Sequence, residues 1–106
     1  MGLFPMNVGS GGTGEFEVIK IYNFYTENGK YNDIPMTCDK GDYVVLSSSR
    51  SSTYVTDSRF VETSEITVPY TGYQKIYKIS NTINNETIRV LMQETHQGGA
   101  LVQLRK

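Results

Sequence analysis

Cysteine or imidazole chemistry has one address each in this chain: Cys38 and His96 are the only residues of their types. A Cys38–His96 dyad needs the two side chains within hydrogen-bond reach, because the imidazole must take the thiol proton before sulfur can attack. Nothing in the spacing arranges that. His96 lies in Glu94-Thr95-His96-Gln97-Gly98-Gly99, which reads as a hairpin connection exposed to water, and Cys38 reads as a small buried hydrophobe. One histidine and one cysteine cannot build a structural zinc site, and one cysteine cannot close a disulfide. Asp33, Asp39 and Asp42 have the oxygens a calcium ion takes, but the spacing and closing glutamate of an EF-hand are missing. A turn with Asp39 as side-chain acceptor and Gly41 at positive φ accounts for the same residues. Gly9-Ser10-Gly11-Gly12-Thr13-Gly14 is glycine-rich yet lacks the lysine and the following helix of a phosphate loop. No catalytic residue, metal ligand or cofactor is expected.

Tyrosine is the other chemical signal. Tyr22, Tyr25 and Tyr31 flank a first hairpin, and Tyr70, Tyr73 and Tyr77 cluster later. Rings on a sheet can anchor a protein interface or stack on sugar rings, since they bring large area at low entropy cost. They can equally tile strand faces and edges. The chain has no tryptophan, the ring that sugar-binding faces use most.

The elements that carry these residues are strands. Val, Ile and Thr number nine, eight and eleven, while Ala and Leu number one and five. β-Branched residues pack well on a pleated surface, and no window has the apolar spacing of an amphipathic helix. Alternation marks strands over residues 15–22, 53–61, 73–80, 86–93 and 100–105, with a short one at 65–68 stopped by Pro69. In the first, Phe16, Val18, Tyr22 and Phe24 share a face, and Ile19 and Ile21 on the other predict burial on both sides. Asn28-Gly29 predicts a tight hairpin turn, and 39–42 a turn into the apolar run Tyr43-Val44-Val45-Leu46, a central strand. The serines from Ser47 to Ser52 read as a surface loop, and Asn84-Asn85 and Gly98-Gly99 as further turns. Seven or eight short strands without helical crossovers make an all-β fold, an antiparallel β-sandwich of jelly-roll or immunoglobulin-like type.

At 106 residues the chain suits one domain, 15–106, preceded by a flexible arm, 1–14. The arm has an apolar tip, Leu3, Phe4, Met6 and Val8, on a Gly/Ser leash that spans about 16 Å, enough to dock on a neighbouring subunit. A frayed terminus is the plainer account. The net charge of -1 argues against a nucleic-acid partner, and no apolar run approaches a membrane span. No signal-peptide pattern opens the sequence, so synthesis and initial residence in the cytoplasm are expected.

Leu3-Phe4-Pro5, the glycine-rich stretch to Gly14 and the turn-into-strand Lys40-Gly41-Asp42-Tyr43-Val44-Val45 resemble small β-domain virion proteins of tailed phages and prophages, particularly tail- or baseplate-associated ones. That resemblance implies a non-enzymatic structural or assembly protein, present in the virion, that works by homo-oligomerisation and contacts with other virion proteins. The alternative is a module binding glycan or another cell-surface ligand through exposed tyrosines.

Overall fold

The computed structural model describes residues 3–8, 12–26, 30–49, 52–69, 72–92 and 97–106, of which 3–8, 12–15, 26 and 97 are described in backbone only. Asn28-Gly29, Tyr70 and His96 lie outside the described residues, as do the side chains of Leu3, Phe4, Met6 and Val8. Among the described residues ten strands form: β1 (Leu3–Val8), β2 (Gly12–Thr26), β3 (Tyr31–Cys38), β4 (Tyr43–Ser48), β5 (Tyr54–Val55), β6 (Phe60–Glu62), β7 (Ile66–Thr67), β8 (Tyr73–Ile79), β9 (Ile83–Leu91) and β10 (Gln97–Arg105). They make two antiparallel sheets, one of seven strands in the order β6-β8-β4-β10-β2-β1-β7 and one of three in the order β3-β9-β5. The sheets face each other as a β-sandwich, as the β-branched composition demands. Among the described residues no helix is long and apolar enough to cross a membrane.

The interior between the sheets comes from alternate residues of each. Phe24, Val44, Leu46, Tyr77, Ile79 and Leu101 of the larger sheet meet Ile34, Met36, Val55, Ile83, Ile88 and Val90 of the smaller. β4 lies centrally and is buried on both faces, as its unbroken apolar run requires.

A second core sits on the opposite face of the larger sheet, and chain length explains it. β6 and β7 are the two ends of the seven-strand order, yet only residues 63–65 join them, a reach of at most about 14 Å. Seven flat strands would separate those ends by about 29 Å. The sheet therefore curls, and its concave side encloses Phe16, Tyr43, Val45, Ile66, Val102 and Leu104, with Val18, Val68 and Ile76 at the margin.

One bulge lets β2 serve both cores. Gln103 pairs with Lys20 and Leu104 with Val18, so Ile19 is the extra residue. A one-residue slip sends side chains to the other face. Phe16 and Val18 accordingly join the curled core, and Tyr22 and Phe24 join the sandwich core. The expectation of one shared face is corrected on that ground, and Ile21 is exposed where burial was expected.

Other boundaries move for similar reasons. Leu3–Val8 pairs antiparallel with Gly12–Glu17 and also with β7, so the backbone of the apolar tip belongs to the larger sheet. Residues 53–61 are two short strands, because Asp57 Oδ1 accepts the Arg59 N–H and the Asp57 carbonyl accepts the Phe60 N–H, closing a turn between β5 and β6. Ser47 and Ser48 belong to β4, and the buried Ser48 hydroxyl is 3.0 Å from Thr53 Oγ1. Asn84-Asn85 is a bulge within β9: these two residues oppose Thr37 alone, Asn85 has φ 50°, and its N–H donates to Thr37 Oγ1 at 3.0 Å. Gly98-Gly99 is inside β10, where a Cβ on Gly99 would come within 2.2 Å of the Ser47 carbonyl oxygen. Close strand approach, and no turn, requires glycine there.

Candidate functional site

Two places concentrate polar and aromatic side chains. The first is the end of the sandwich where the 39–42 turn carries the chain from β3 into β4. The Asp42 N–H donates to the Asp39 carbonyl at 3.0 Å and Gly41 has φ 94°, the geometry of a type II turn. The acceptor side chain is Asp42, correcting the expectation of Asp39: Asp42 Oδ2 accepts the Asp39 N–H at 2.8 Å.

Asp42 is 2% exposed and holds a network that spans the chain. Its Oδ2 also accepts from Gln103 Nε2 at 2.8 Å and Arg105 Nη2 at 2.9 Å, while Oδ1 accepts from Arg105 Nε at 2.8 Å. Arg105 Nη2 lies 3.1 Å from Asp39 Oδ2 as well. Gln103 Oε1 in turn accepts from the buried Tyr22 hydroxyl at 3.0 Å. Burial by itself would raise the Asp42 pKa, but the hydrogen bonds from Arg105, the Asp39 N–H and Gln103 outweigh it, and the net shift is downward. Above this network opens a cleft of about 510 Å³ between the sheets, bordered by Lys20, Pro35, Thr37, Asp39, Asn85 and Arg105.

Cys38 lies close by, fully buried. Burial and the Asp42 charge push its thiol up to about 12. A thiol so raised stays protonated at neutral pH and makes a poor nucleophile. Native protein at pH 8 is expected to resist iodoacetamide, and urea-unfolded protein to be alkylated promptly. Mass spectrometry checks this, and rapid native alkylation would contradict the burial. Among the described residues no group of three or more His, Cys, Asp or Glu could hold a metal ion; Asp33 pairs instead with Arg89.

The second place is the outward face of the smaller sheet. Tyr31 and Tyr54 both stand opposite Leu91, so the three form one row across β3, β9 and β5. Asp33 stands opposite Arg89 in the neighbouring row and accepts from its Nε and Nη2 at 2.9 and 3.1 Å. The Arg89 guanidinium lies 3.8 Å from the Tyr31 ring centroid. The Asp33 hydrogen bonds hold Arg89 protonated, and Arg89 in turn holds the Asp33 carboxyl below its ordinary value. The result is an exposed aromatic and aliphatic strip with a fixed arginine beside it.

The described residues among the tyrosines singled out in the sequence do not gather into one platform. Tyr22 and Tyr77 are buried, and the Tyr77 hydroxyl accepts the Val55 N–H at 3.1 Å across the sandwich. Tyr25 is exposed on the far face of β2, its ring over Gly98, and Tyr73 is exposed at the end of β8. Of those described, only Tyr31 joins the strip. Its partners Tyr54, Leu91 and Arg89 carry no sequence signal, because the row exists only once the β3-β9-β5 order is known.

Compared with protein-family models, curated proteins and solved structures, the chain matches none.

Proposed function

We propose that this chain is a non-enzymatic structural protein of the kind small virion proteins supply, working by self-association and by contacts with other assembly proteins. The row Tyr31–Leu91–Tyr54 with Arg89 beside it carries this reading. Tyrosine and arginine dominate the energetics of protein interfaces, and side chains already held in place lose less entropy on contact. Arg89 is fixed by two hydrogen bonds and a ring before any partner arrives. A strip of this kind on one face suits an isologous contact, in which the same patch meets its copy. The backbone of Leu3–Val8 sits in its own chain's sheet, so the reading does not lean on a docking arm.

The expected result is a homo-oligomer by light scattering that falls to monomer in the double variant Tyr31→Ser/Tyr54→Ser, with thermal unfolding of the isolated domain little changed. A double variant that keeps the parent mass contradicts the assignment to this face. A glycan array on the same pair of proteins separates the other use of exposed rings: binding that is lost with these tyrosines would favour ligand recognition over assembly.

A further inference from the structure

We infer that the cleft at the 39–42 end of the sandwich is a binding site for a neutral polyhydroxylated ligand, such as a sugar of about one or two rings. Its volume of about 510 Å³ falls within the range of small-ligand pockets.

The charges decide the ligand class. Lys20 and Arg105 border the cleft, but Arg105 is already engaged by Asp42 and Asp39. An incoming anion would find Lys20, its ammonium 4.9 Å from the Tyr22 ring centroid, as the one cation among the described lining residues not paired to a carboxylate, with two carboxylates close behind. A cation would find both carboxylates already paired to Arg105 and would meet Lys20 at the rim. A neutral ligand escapes both and brings no charge of its own to desolvate.

Hydroxyl groups also match what the wall offers. Each hydroxyl can donate and accept, and the wall has the Asp39 carboxylate as acceptor, the Lys20 ammonium as donor, and the Thr37 hydroxyl and Asn85 amide as both. Pro35 and Ile19 give the same cleft an apolar surface for the C–H face of a ring. The wall is preorganised from beneath: three hydrogen bonds on Asp42 tie the turn to β10 and a fourth closes the turn on Asp39, and the Asn84-Asn85 bulge ties β9 to β3 through Thr37 Oγ1. Bulges of this kind re-aim side chains next to functional sites. This inference is independent of the assembly reading, which rests on the outward face of the smaller sheet.

Amide spectra of the full chain titrated with glucose, galactose, N-acetylglucosamine, lactose and maltose test it, with inorganic phosphate and spermidine as charged controls. Saturable shifts at Lys20, Thr37 and Asn85 are expected with at least one neutral sugar and with neither control. Asn85→Gly keeps the backbone conformation at φ 50° while removing the amide, and Lys20→Met removes the ammonium. Each is expected to weaken binding about tenfold, without altering the thermal midpoint by more than about 3 °C. No saturable shift with any of the five sugars, equal shifts with phosphate or spermidine, or undiminished binding in both variants would overturn the inference.

Discussion

Replacing Asp42 by alanine lowers the thermal midpoint by roughly 12–24 °C, the largest loss expected from any single polar substitution in the chain. The carboxylate accepts from the Asp39 N–H, Gln103 Nε2 and two nitrogens of Arg105, and is almost wholly buried. Removing it leaves Gln103 Nε2 buried without an acceptor and Arg105 with only Asp39. Losing this half-buried pair, with Gln103 Nε2 left unsatisfied, costs about 3 kcal/mol, and each kcal/mol moves the midpoint of a domain this size by about 4–8 °C. Asp42→Asn retains the shape and one oxygen, so it should fall between alanine and the parent. The pH dependence follows from the downward pKa shift. A carboxyl with a folded pKa below its unfolded value stabilises fully above the ordinary carboxylate range, and that contribution is lost as pH falls through the folded pKa. The gap between parent and Asp42→Ala is therefore constant from about pH 5 to neutrality and narrows below about pH 4. Urea melts across that range check it, and a gap that widens in acid would contradict the network.

Phe16→Ala costs about 3–5 kcal/mol, while Ile21→Ala on the same strand costs less than about 0.5 kcal/mol. Phe16 is fully buried in the curled core, edge-on to Tyr43 at 5.6 Å and 84°. Ile21 is 51% exposed, beyond the bulge that turns the strand over. The contrast tests the second core directly. If the larger sheet were flat, the face bearing Phe16 would lie open to water, and truncating it would cost little more than truncating Ile21. Equilibrium unfolding in urea measures both variants, and comparable losses would remove the curl from the description.

What the sequence reveals and hides follows from the range of each interaction. The run Tyr43-Val44-Val45-Leu46 announces a central strand because burial on both faces leaves no polar position, and it is local. The break in β2 is invisible, since the residue that inserts, Ile19, follows Val18 in an ordinary β-branched run and the offset appears only against β10. Asn84-Asn85 carries a turn-forming composition, and Asn85 does adopt positive φ, but the unit is a bulge that needs Thr37 across the ladder. Gly98-Gly99 misleads in the same way, because glycine serves a tight turn and a close strand approach equally. The cleft network joins Tyr22, Asp42, Gln103 and Arg105, and sequence separation hides it: Asp42 and Arg105 are 63 positions apart. The strip on the smaller sheet is hidden by topology, since Tyr31 and Tyr54 are neighbours only through Leu91.

Sedimentation equilibrium from micromolar to near-millimolar concentration weighs the central claim, that the chain acts by meeting copies of itself through a prepared aromatic face. The parent protein should sediment as a reversible oligomer whose association weakens sharply in Arg89→Ala, with the fold retained by circular dichroism. A parent that sediments at 11.9 kDa throughout the range would contradict it.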